Sequence, residues 1–183
     1  MCGQPDKNML DIWNMSLAEV GSYIVKERIS YIDKICKENN IPYWLSSGTL
    51  LGAVRHGGFI PWDDDVDIEM MREDYLRFEQ VFEDDDDHVL HTHKDDLHYI
   101  MPYAKVRDRH SIVEEHSGGD KFKHKGIFID IFALEYTHKF VNHRTHMRLR
   151  RIRKFDNKHE STKFVEWLIA LRKRMAFSSF RVW

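Results

Sequence analysis

Acidic and apolar residues alternate from Asp65 to Met70, and this alternation limits the possible folds more than any other segment of the sequence. A period of two residues is typical of a β-strand that has one buried and one open face. We therefore expect Val66 and Ile68 to point into a core, and Asp65 and Asp67 to leave the opposite face together. A strand with one buried face requires a surrounding sheet and a layer packed against it.

The patterns on either side of this strand predict further strands and several helices. Apolar residues at helical spacing predict helices over 16–38, 50–55 and 73–82, and the sequence after residue 137 is helical and basic. Further strands are predicted over 41–45, 88–91, 99–107, 112–115 and 127–132. This order predicts an α/β domain of the α+β type, with a mixed sheet backed by helices and a basic helical segment at its C-terminal end.

The composition is that of a globular protein. The 183 residues are 42% hydrophobic and 32% charged, with 9 Gly and 4 Pro, which excludes collagen-like, low-complexity and wholly disordered classes. The two cysteines, Cys2 and Cys36, exclude a disulfide scaffold and a four-thiolate zinc ribbon, and we expect Cys36 to be a core residue. Residues 1–6 do not resemble a secretory signal and no stretch approaches 18 uncharged apolar residues, so we expect a soluble, cytoplasmic protein.

The net charge of −2 hides a strong asymmetry along the chain. Residues 138–183 contain 13 Lys+Arg and 3 Asp+Glu, whereas residues 1–137 contain 15 and 27. We therefore predict a core over 1–137 and a separate basic helical segment over 138–183. This segment either packs on the acidic core, lies on the inner face of an anionic membrane or on a glycolipid, or binds nucleic acid. Its amphipathic basic pattern favours the membrane, and no nucleic-acid partner is expected.

Three acids are candidate ligands of a metal ion. Two carboxylates as close as Asp65 and Asp67 repel each other unless a cation lies between them. Mg²⁺ is commonly held by one or two carboxylates together with phosphate oxygens of a substrate. Asp130 interrupts an apolar strand, where a buried acid needs a compensating partner, so we predict that it is a third ligand or a base. A solvated acidic loop is the alternative interpretation.

A turn of small residues precedes these acids. Ser47, Gly48 and Thr49 open a short helix, and backbone N–H groups at a helix N-terminus favour a phosphate. The turn, the Asp-x-Asp pair and the later acid are each weak evidence for a metal and phosphate site when taken alone. Their order, with a glycine turn, an Asp-x-Asp strand and a third acid on a later strand, resembles the layout of the nucleotidyltransferase-fold superfamily.

A longer resemblance covers the same region. The segment YWLSSGTLLGAVRHGGFIPWDDDVDI at 43–68 is similar to the signature of the LicD family, whose members transfer phosphocholine or related phospho-alcohols to cell-surface glycans and include fukutin-related proteins. The similarity continues at 72–75, 103–108 and 126–132 and covers about residues 16–136. Family members are commonly longer, and the chain departs from the family pattern at Ser111 and Ala133. Residues 138–183 are therefore interpreted either as a basic helical segment or as a truncated C-terminal region of the family.

The resemblance implies a nucleotidyltransferase-like fold and a phosphotransferase. The implied donor is a CDP-activated alcohol such as CDP-choline, the acceptor is a glycan or glycolipid such as lipopolysaccharide, and the cofactor is Mg²⁺ or Mn²⁺. Asp65, Asp67 and Asp130 would be the catalytic and metal-binding residues, with Asp130 sharing the metal or deprotonating the acceptor. The alternatives are a nucleotidyltransferase that transfers a nucleoside monophosphate and an inactive fragment that binds a nucleotide or a glycan.

Basic and aromatic residues complete the candidate site. Ser47, Gly48 and Thr49 would bind the donor phosphates. Arg55, Lys105 and Arg107 are candidate phosphate ligands, and the alternative is that they form ion pairs with the acidic core. Trp62 and Tyr103 either stack on a base or a choline group through cation–π contact, or belong to the core.

Overall fold

The computed structural model describes residues 17–60, 62–63, 65–115, 119–136 and 139–178, and the predicted helix start at residue 16 and Cys2 lie outside these ranges. Within them the structure has five α-helices, a short 3-10 helix over Gly119–Lys121 and five strands. The helices are α1 (Leu17–Glu38), α2 (Ser47–His56), α3 (Arg72–Val81), α4 (Lys139–Lys158) and α5 (Lys163–Ser178). The strands are β1 (Trp44–Leu45), β2 (Asp67–Met71), β3 (His88–His91), β4 (Ala104–Asp108) and β5 (Phe128–Leu134).

The strands form one mixed sheet in the order β1-β2-β5-β4-β3. The central pair β2–β5 is parallel, and the pairs β1–β2, β4–β5 and β3–β4 are antiparallel. The register of this pair places Asp67, the first residue of β2, opposite Asp130, the third residue of β5. The predicted α/β fold with a mixed sheet is confirmed.

The main core lies between the sheet and the helices α1 and α3. Ile68 and Met70 of β2 are fully buried, as is Ile131 of β5, and they pack with Ile32 of α1 and Phe78 of α3. Burial of each such side chain contributes about 2 kcal/mol to folding. The residues of β2 that alternate with the buried ones are only half-buried, which is the burial pattern expected from the sequence. This packing leaves the acidic face of β2 open for chemistry.

The basic helices α4 and α5 pack against each other around a second, smaller core. Ile152 of α4 and Ile169 of α5 are buried there with Ile100. The Lys173 Nζ atom donates hydrogen bonds to the carbonyls of Asp96, Leu97 and Tyr99 at 2.7, 2.9 and 3.2 Å. These bonds attach α5 to the loop before β4. None of the helices in the described ranges combines the length and the apolar character that crossing a membrane requires.

Some predicted boundaries are wrong, and each has a local cause. Residues 112–115 form no strand, since the Glu115 carboxylate turns toward Lys105 and Arg107 instead of continuing a ladder. The strand predicted over 99–107 begins only at Ala104, because Lys173 holds the carbonyls before it and Pro102 has no backbone N–H to donate.

Two corrections concern the candidate site. Strand β2 begins at Asp67, so Asp65 and Val66 precede the strand, although Val66 is buried and Asp65 half-buried as the alternation predicts. The predicted helix over 50–55 begins earlier, at Ser47, so the glycine turn is itself the first turn of α2. The early start places the N–H groups of that turn beside β2. The buried position predicted for Cys36 is confirmed, since this side chain packs in the main core.

Candidate active site

The N-terminus of α2 is attached to the beginning of β2. Ser46 is the extended residue before the helix, and its N–H donates to the Asp67 carbonyl at 3.0 Å. In return the Asp67 N–H donates to the Thr49 Oγ1 atom at 2.9 Å. The Thr49 hydroxyl is therefore used to hold the two elements together. The first turn of α2 consequently lies beside the carboxylate of Asp67.

The backbone of this first turn is unusual at two residues. Ser47 has a φ of 48°, which is rare for a residue with a side chain and typical of functional sites. Gly48 lies so close to Asp63 that an added Cβ atom would collide with the Asp63 carboxylate. Glycine therefore permits this close approach without displacement of the Asp63 side chain. The turn, the loop at Asp63 and the start of β2 form one compact unit.

Asp67 and Asp130 are neighbours across the parallel pair β2–β5. Neighbouring strands are separated by about 4.8 Å, so two carboxylates at one register position interact strongly. Burial raises the pKa of Asp67, and the charges of Asp63 and Glu69 add to this effect. Burial also raises the pKa of Asp130 to about 6, with Lys105 opposing the shift and the negative charge of Asp67 adding to it. The pair therefore retains protons more readily than ordinary aspartates.

Lys105 is the cation of this site. It faces Asp130 in the β4–β5 ladder, with its Nζ atom 2.8 Å from Asp130 Oδ1 and 3.4 Å from Glu115 Oε2. The side chain is almost fully buried and its ammonium lies over the Phe128 ring. Burial lowers the pKa of Lys105, and the charge of Asp130 opposes the shift. The ion pair that was the alternative interpretation of Lys105 is thus found, and phosphate binding by Lys105 stays a prediction.

The Asp130 Oδ1 atom is fully buried and has no well-directed hydrogen bond to any described residue, although Lys105 lies close to it. A buried anionic oxygen without such a bond has capacity for a further cation. Within the ranges that the structure describes, no three Asp, Glu, His or Cys side chains converge closely enough to hold a metal ion by themselves. Mg²⁺ needs only one or two carboxylates when substrate phosphates and water supply the remaining oxygens. Asp67 and Asp130 therefore fit a metal that is completed by substrate.

Arg107 lies on the same strand as Lys105 but has no access to solvent. Its guanidinium donates to Glu115 Oε1, to the Gly126 carbonyl at 3.0 Å and to His91 Nδ1 at 2.9 Å. The ion pair with Glu115 is the alternative interpretation that the sequence analysis left open for Arg107. Phosphate binding by Arg107 stays a prediction.

Asp65 and Arg55 lie outside the strands that carry Asp67 and Asp130. Asp65 is half-buried and precedes β2 by two residues. Arg55 is exposed near the C-terminal end of α2, about 12 Å along the helix axis from Ser47 at 1.5 Å per residue. Their roles in metal and phosphate binding stay predictions.

The two candidate aromatic residues differ in their surroundings. Trp62 is 81% exposed and makes an edge contact with His56 at 6.2 Å between ring centres. Tyr103 is half-buried and packs on Phe132 at 4.6 Å. Burial raises the pKa of the Tyr103 hydroxyl, as does the nearby charge of Asp130. Trp62 is thus available for a ligand, whereas Tyr103 is mainly a packing residue beside the acids.

Sequence reasoning missed Glu115 and the contact between Asp63 and Gly48. Glu115 joins Lys105 and Arg107 into one buried network, but it lies in a segment without a distinctive motif. Asp63 was visible as part of the acidic run at 63–65, although nothing local indicated its approach to Gly48. The contacts of Glu115 and of Asp63 both depend on how a loop packs against residues that are distant in the sequence.

Comparison with known proteins identifies the family. The profile described as "LicD/FKTN/FKRP, nucleotidyltransferase domain" matches residues 40–180 and so includes the basic helices. The chain is 38% identical over 110 residues, 58% of its length, to the lipopolysaccharide cholinephosphotransferase LicD of Haemophilus influenzae. It is 42% identical over 57 residues, 31% of its length, to the human ribitol 5-phosphate transferase FKRP. It is 44% identical over 50 residues, 27% of its length, to the mouse ribitol-5-phosphate transferase FKTN.

These matches cover only part of each relative. The matched region makes up 40% of the Haemophilus protein, 12% of human FKRP and 11% of mouse FKTN. The site geometry lies within the part that the family profile covers, including Asp67, Lys105 and Asp130. Since the profile spans more than half of the sequence, this chain belongs to the LicD/FKTN/FKRP nucleotidyltransferase-domain family.

Proposed function

We propose that this chain is the catalytic part of a Mg²⁺-dependent enzyme that transfers a phosphoryl-alcohol group, such as phosphocholine, from a CDP-activated donor to a glycan or glycolipid. The named activities of its relatives, cholinephosphotransferase and ribitol-phosphate transferase, support a phospho-alcohol as the transferred group. The observation that carries the proposal is the pairing of Asp67 with Asp130 beside the N-terminus of α2. Carboxylates for a cation and amides for a phosphate are thereby adjacent.

Phosphoryl transfer depends on positioning and on neutralisation of charge, since the protein performs little covalent chemistry. Asp67 and Asp130, joined by Asp65 from the preceding loop, would hold Mg²⁺ or Mn²⁺. When bound, such an ion neutralises charge on the donor phosphates and polarises them. The N–H groups of Gly48 and Thr49, with the Ser47 hydroxyl, would bind a phosphate oxygen at the positive end of the helix.

Asp130 has a second candidate role as the base that accepts the proton of the acceptor hydroxyl. A base works best when its pKa lies near the pH of the reaction, and the pKa of Asp130 is raised to about 6. Lys105 would keep this carboxylate in one orientation and offset its negative charge while the donor is absent. The exposed Trp62 would be available to stack on the cytosine base or on a quaternary ammonium group.

The reaction would take place in the cytoplasm at the inner face of a membrane. A CDP-activated donor is a charged, soluble molecule, whereas a glycolipid acceptor is held by the membrane. Peripheral contact through the basic helices would bring the two substrates together, and residues 139–178 carry 12 Lys+Arg against 3 Asp+Glu.

The direct test is to incubate the protein with a panel of CDP-alcohols, Mg²⁺ and lipopolysaccharide, and to follow CMP release together with the mass of the acceptor. We expect CMP release with one donor and an acceptor that gains the mass of the phospho-alcohol. The same reaction with Asp67→Asn serves as the negative control, and EDTA should stop the wild-type reaction. Absence of CMP release with every donor would contradict the proposal.

Nucleotidyl transfer is the second candidate, favoured by the family description as a nucleotidyltransferase domain. The acceptor would then gain a nucleoside monophosphate, which mass spectrometry separates from a phospho-alcohol. An inactive binding fragment is the third candidate. It would bind CDP-choline in a calorimeter and yet release no CMP.

A further inference from the structure

The outward face of α5 carries an apolar stripe. Four large side chains follow each other at intervals of three, four and four residues, which places them along one side of the helix. They are Phe164, Trp167, Leu171 and Met175, exposed to 67, 58, 42 and 55%. The rings of Phe164 and Trp167 stack, with their centres 6.2 Å apart. The stripe is therefore continuous.

The packing of α5 does not account for this stripe. The opposite side of the helix supplies the buried contacts, through Ile169 and Ala176 in the second core and through Lys173 on the loop before β4. A helix that packs by one face normally exposes polar residues on the other. Large exposed apolar patches usually mark a surface that meets a partner or a membrane.

The helix that carries the stripe and its neighbour α4 are rich in positive charge. The C-terminal helices expose many basic side chains, namely Arg148, Arg150, Arg151, Lys154 and Lys158 on α4 and Lys163 and Arg174 on α5. Within 139–178 the balance of basic and acidic residues is 12 against 3. Lys163 and Arg174 border the stripe near its two ends. Apolar side chains bordered by cations are the pattern of a helix that lies in the interface of an anionic membrane.

We propose that the outer face of α5 binds the surface of an anionic lipid membrane. Phe164, Trp167 and Leu171 enter the boundary between headgroups and acyl chains, and the basic side chains of α4 and α5 contact lipid phosphates. Charge complementarity favours this occupant over a second copy of the chain, because joining two such faces would bring like charges together. This inference deepens the peripheral membrane contact included in the proposed function, and vesicle binding can be measured separately from the transfer reaction.

The test uses vesicles of phosphatidylcholine with and without phosphatidylglycerol, and co-sedimentation of the full chain. Leu171→Glu is compared with Leu76→Glu, since both leucines are 42% exposed on helices and both changes add one negative charge. We expect wild-type protein and Leu76→Glu to sediment with the anionic vesicles alike. Leu171→Glu should bind at least about tenfold more weakly, and all three proteins should bind little to pure phosphatidylcholine.

Three results would overturn the proposal. They are equal binding of Leu171→Glu and wild type, no binding of wild type to anionic vesicles, or a wild-type dimer in light scattering that Leu171→Glu abolishes without any vesicle binding. Thermal melts would show whether each variant is folded. If Leu171→Glu does not fold, Trp167→Ala replaces it with the same expectation. CMP release in vesicle-free solution is a separate readout, because these changes leave Asp67 and Asp130 untouched.

Discussion

Lys105 and Asp130 face each other across the β4–β5 ladder, with the lysine Nζ atom 2.8 Å from Asp130 Oδ1. Both side chains are buried, and Asp67 lies on the other side of Asp130 in the same sheet. The sheet thus places one cation and two anions in a row. A divalent ion bound beside Asp67 would make the net charge of this row positive. The negatively charged donor phosphates could then neutralise it.

The first prediction concerns Asp67. Asp67→Asn should lower turnover by about a hundredfold or more, because a charged group that stabilises the transition state is lost. Its melting temperature should stay unchanged or rise, since burial and like charges already disfavour the ionised form. Glu73→Gln, at an exposed acid in the first turn of α3, is the matched control and should be silent in both assays. Full activity in Asp67→Asn would refute the assignment.

The second prediction concerns the stability of the buried ion pair. Lys105→Met leaves the buried Asp130 carboxylate without its cation, so the free energy of unfolding in urea should fall by about 3 kcal/mol. The double variant with Asp130→Asn should recover part of this loss, and a double-mutant cycle measures the coupling. Lys34→Met provides a comparison at a surface pair with Glu38, 4.0 Å apart. It should change the free energy by less than about 1 kcal/mol.

Equal effects of Lys105→Met and Lys34→Met would show that burial does not strengthen the Lys105–Asp130 pair. Full additivity in the cycle would show that the two residues act independently.

The third prediction concerns the close approach at Gly48. Gly48→Ala would push its new methyl group against the Asp63 carboxylate, which can move because it is the end of a side chain. We therefore expect a folded protein with a displaced loop and a raised KM for the CDP donor. Gly58→Ala is the matched control, since an added Cβ at Gly58 meets nothing within 4 Å. An unchanged KM in Gly48→Ala would argue against donor binding at this turn.

The fourth prediction concerns acid sensitivity. Burial lowers the pKa of His93 to about 4, with the charges of Lys173 and Lys94 adding to the shift, and its ring stacks on Phe177 at 3.8 Å. The unfolded chain takes up this proton near pH 6.5 and the folded chain only near pH 4. The stability that the neutral His93 contributes is therefore complete above pH 6.5 and is lost as the pH falls from 6.5 to 4.

Melting temperatures across this range provide the measurement. His93→Phe should reduce the fall in melting temperature between pH 6.5 and 4, because the titrating group is removed while the stacking on Phe177 is kept. His110→Gln, at an exposed histidine beside Asp87, should follow the wild-type curve. A decline in His93→Phe as steep as in wild type would assign the acid sensitivity to other groups.

Sequence patterns were sufficient to predict several elements, the family and the face of β2 that carries Asp67. Apolar spacing reports which face of an element is buried, so α1, α3 and β3 were predicted within one residue of their observed ends. The length and specificity of the motif at 43–68 identified the LicD family, and the family profile confirms it. The face of Asp67 also followed from alternation alone, because a strand has a period of two.

Which residues of distant segments contact each other depends on the tertiary structure. Asp67 and Asp130 are 63 positions apart in the sequence, and their meeting requires β2 and β5 to lie side by side in parallel. Periodicity says which face of a strand is buried but not which strand lies next to it. Likewise, the Arg28 pairing with Asp108, and the loop that brings Glu115 to Lys105, depend on chain packing between distant segments. Local sequence patterns therefore identify the acids of the site, whereas the order of the strands in the sheet determines which residues contact them.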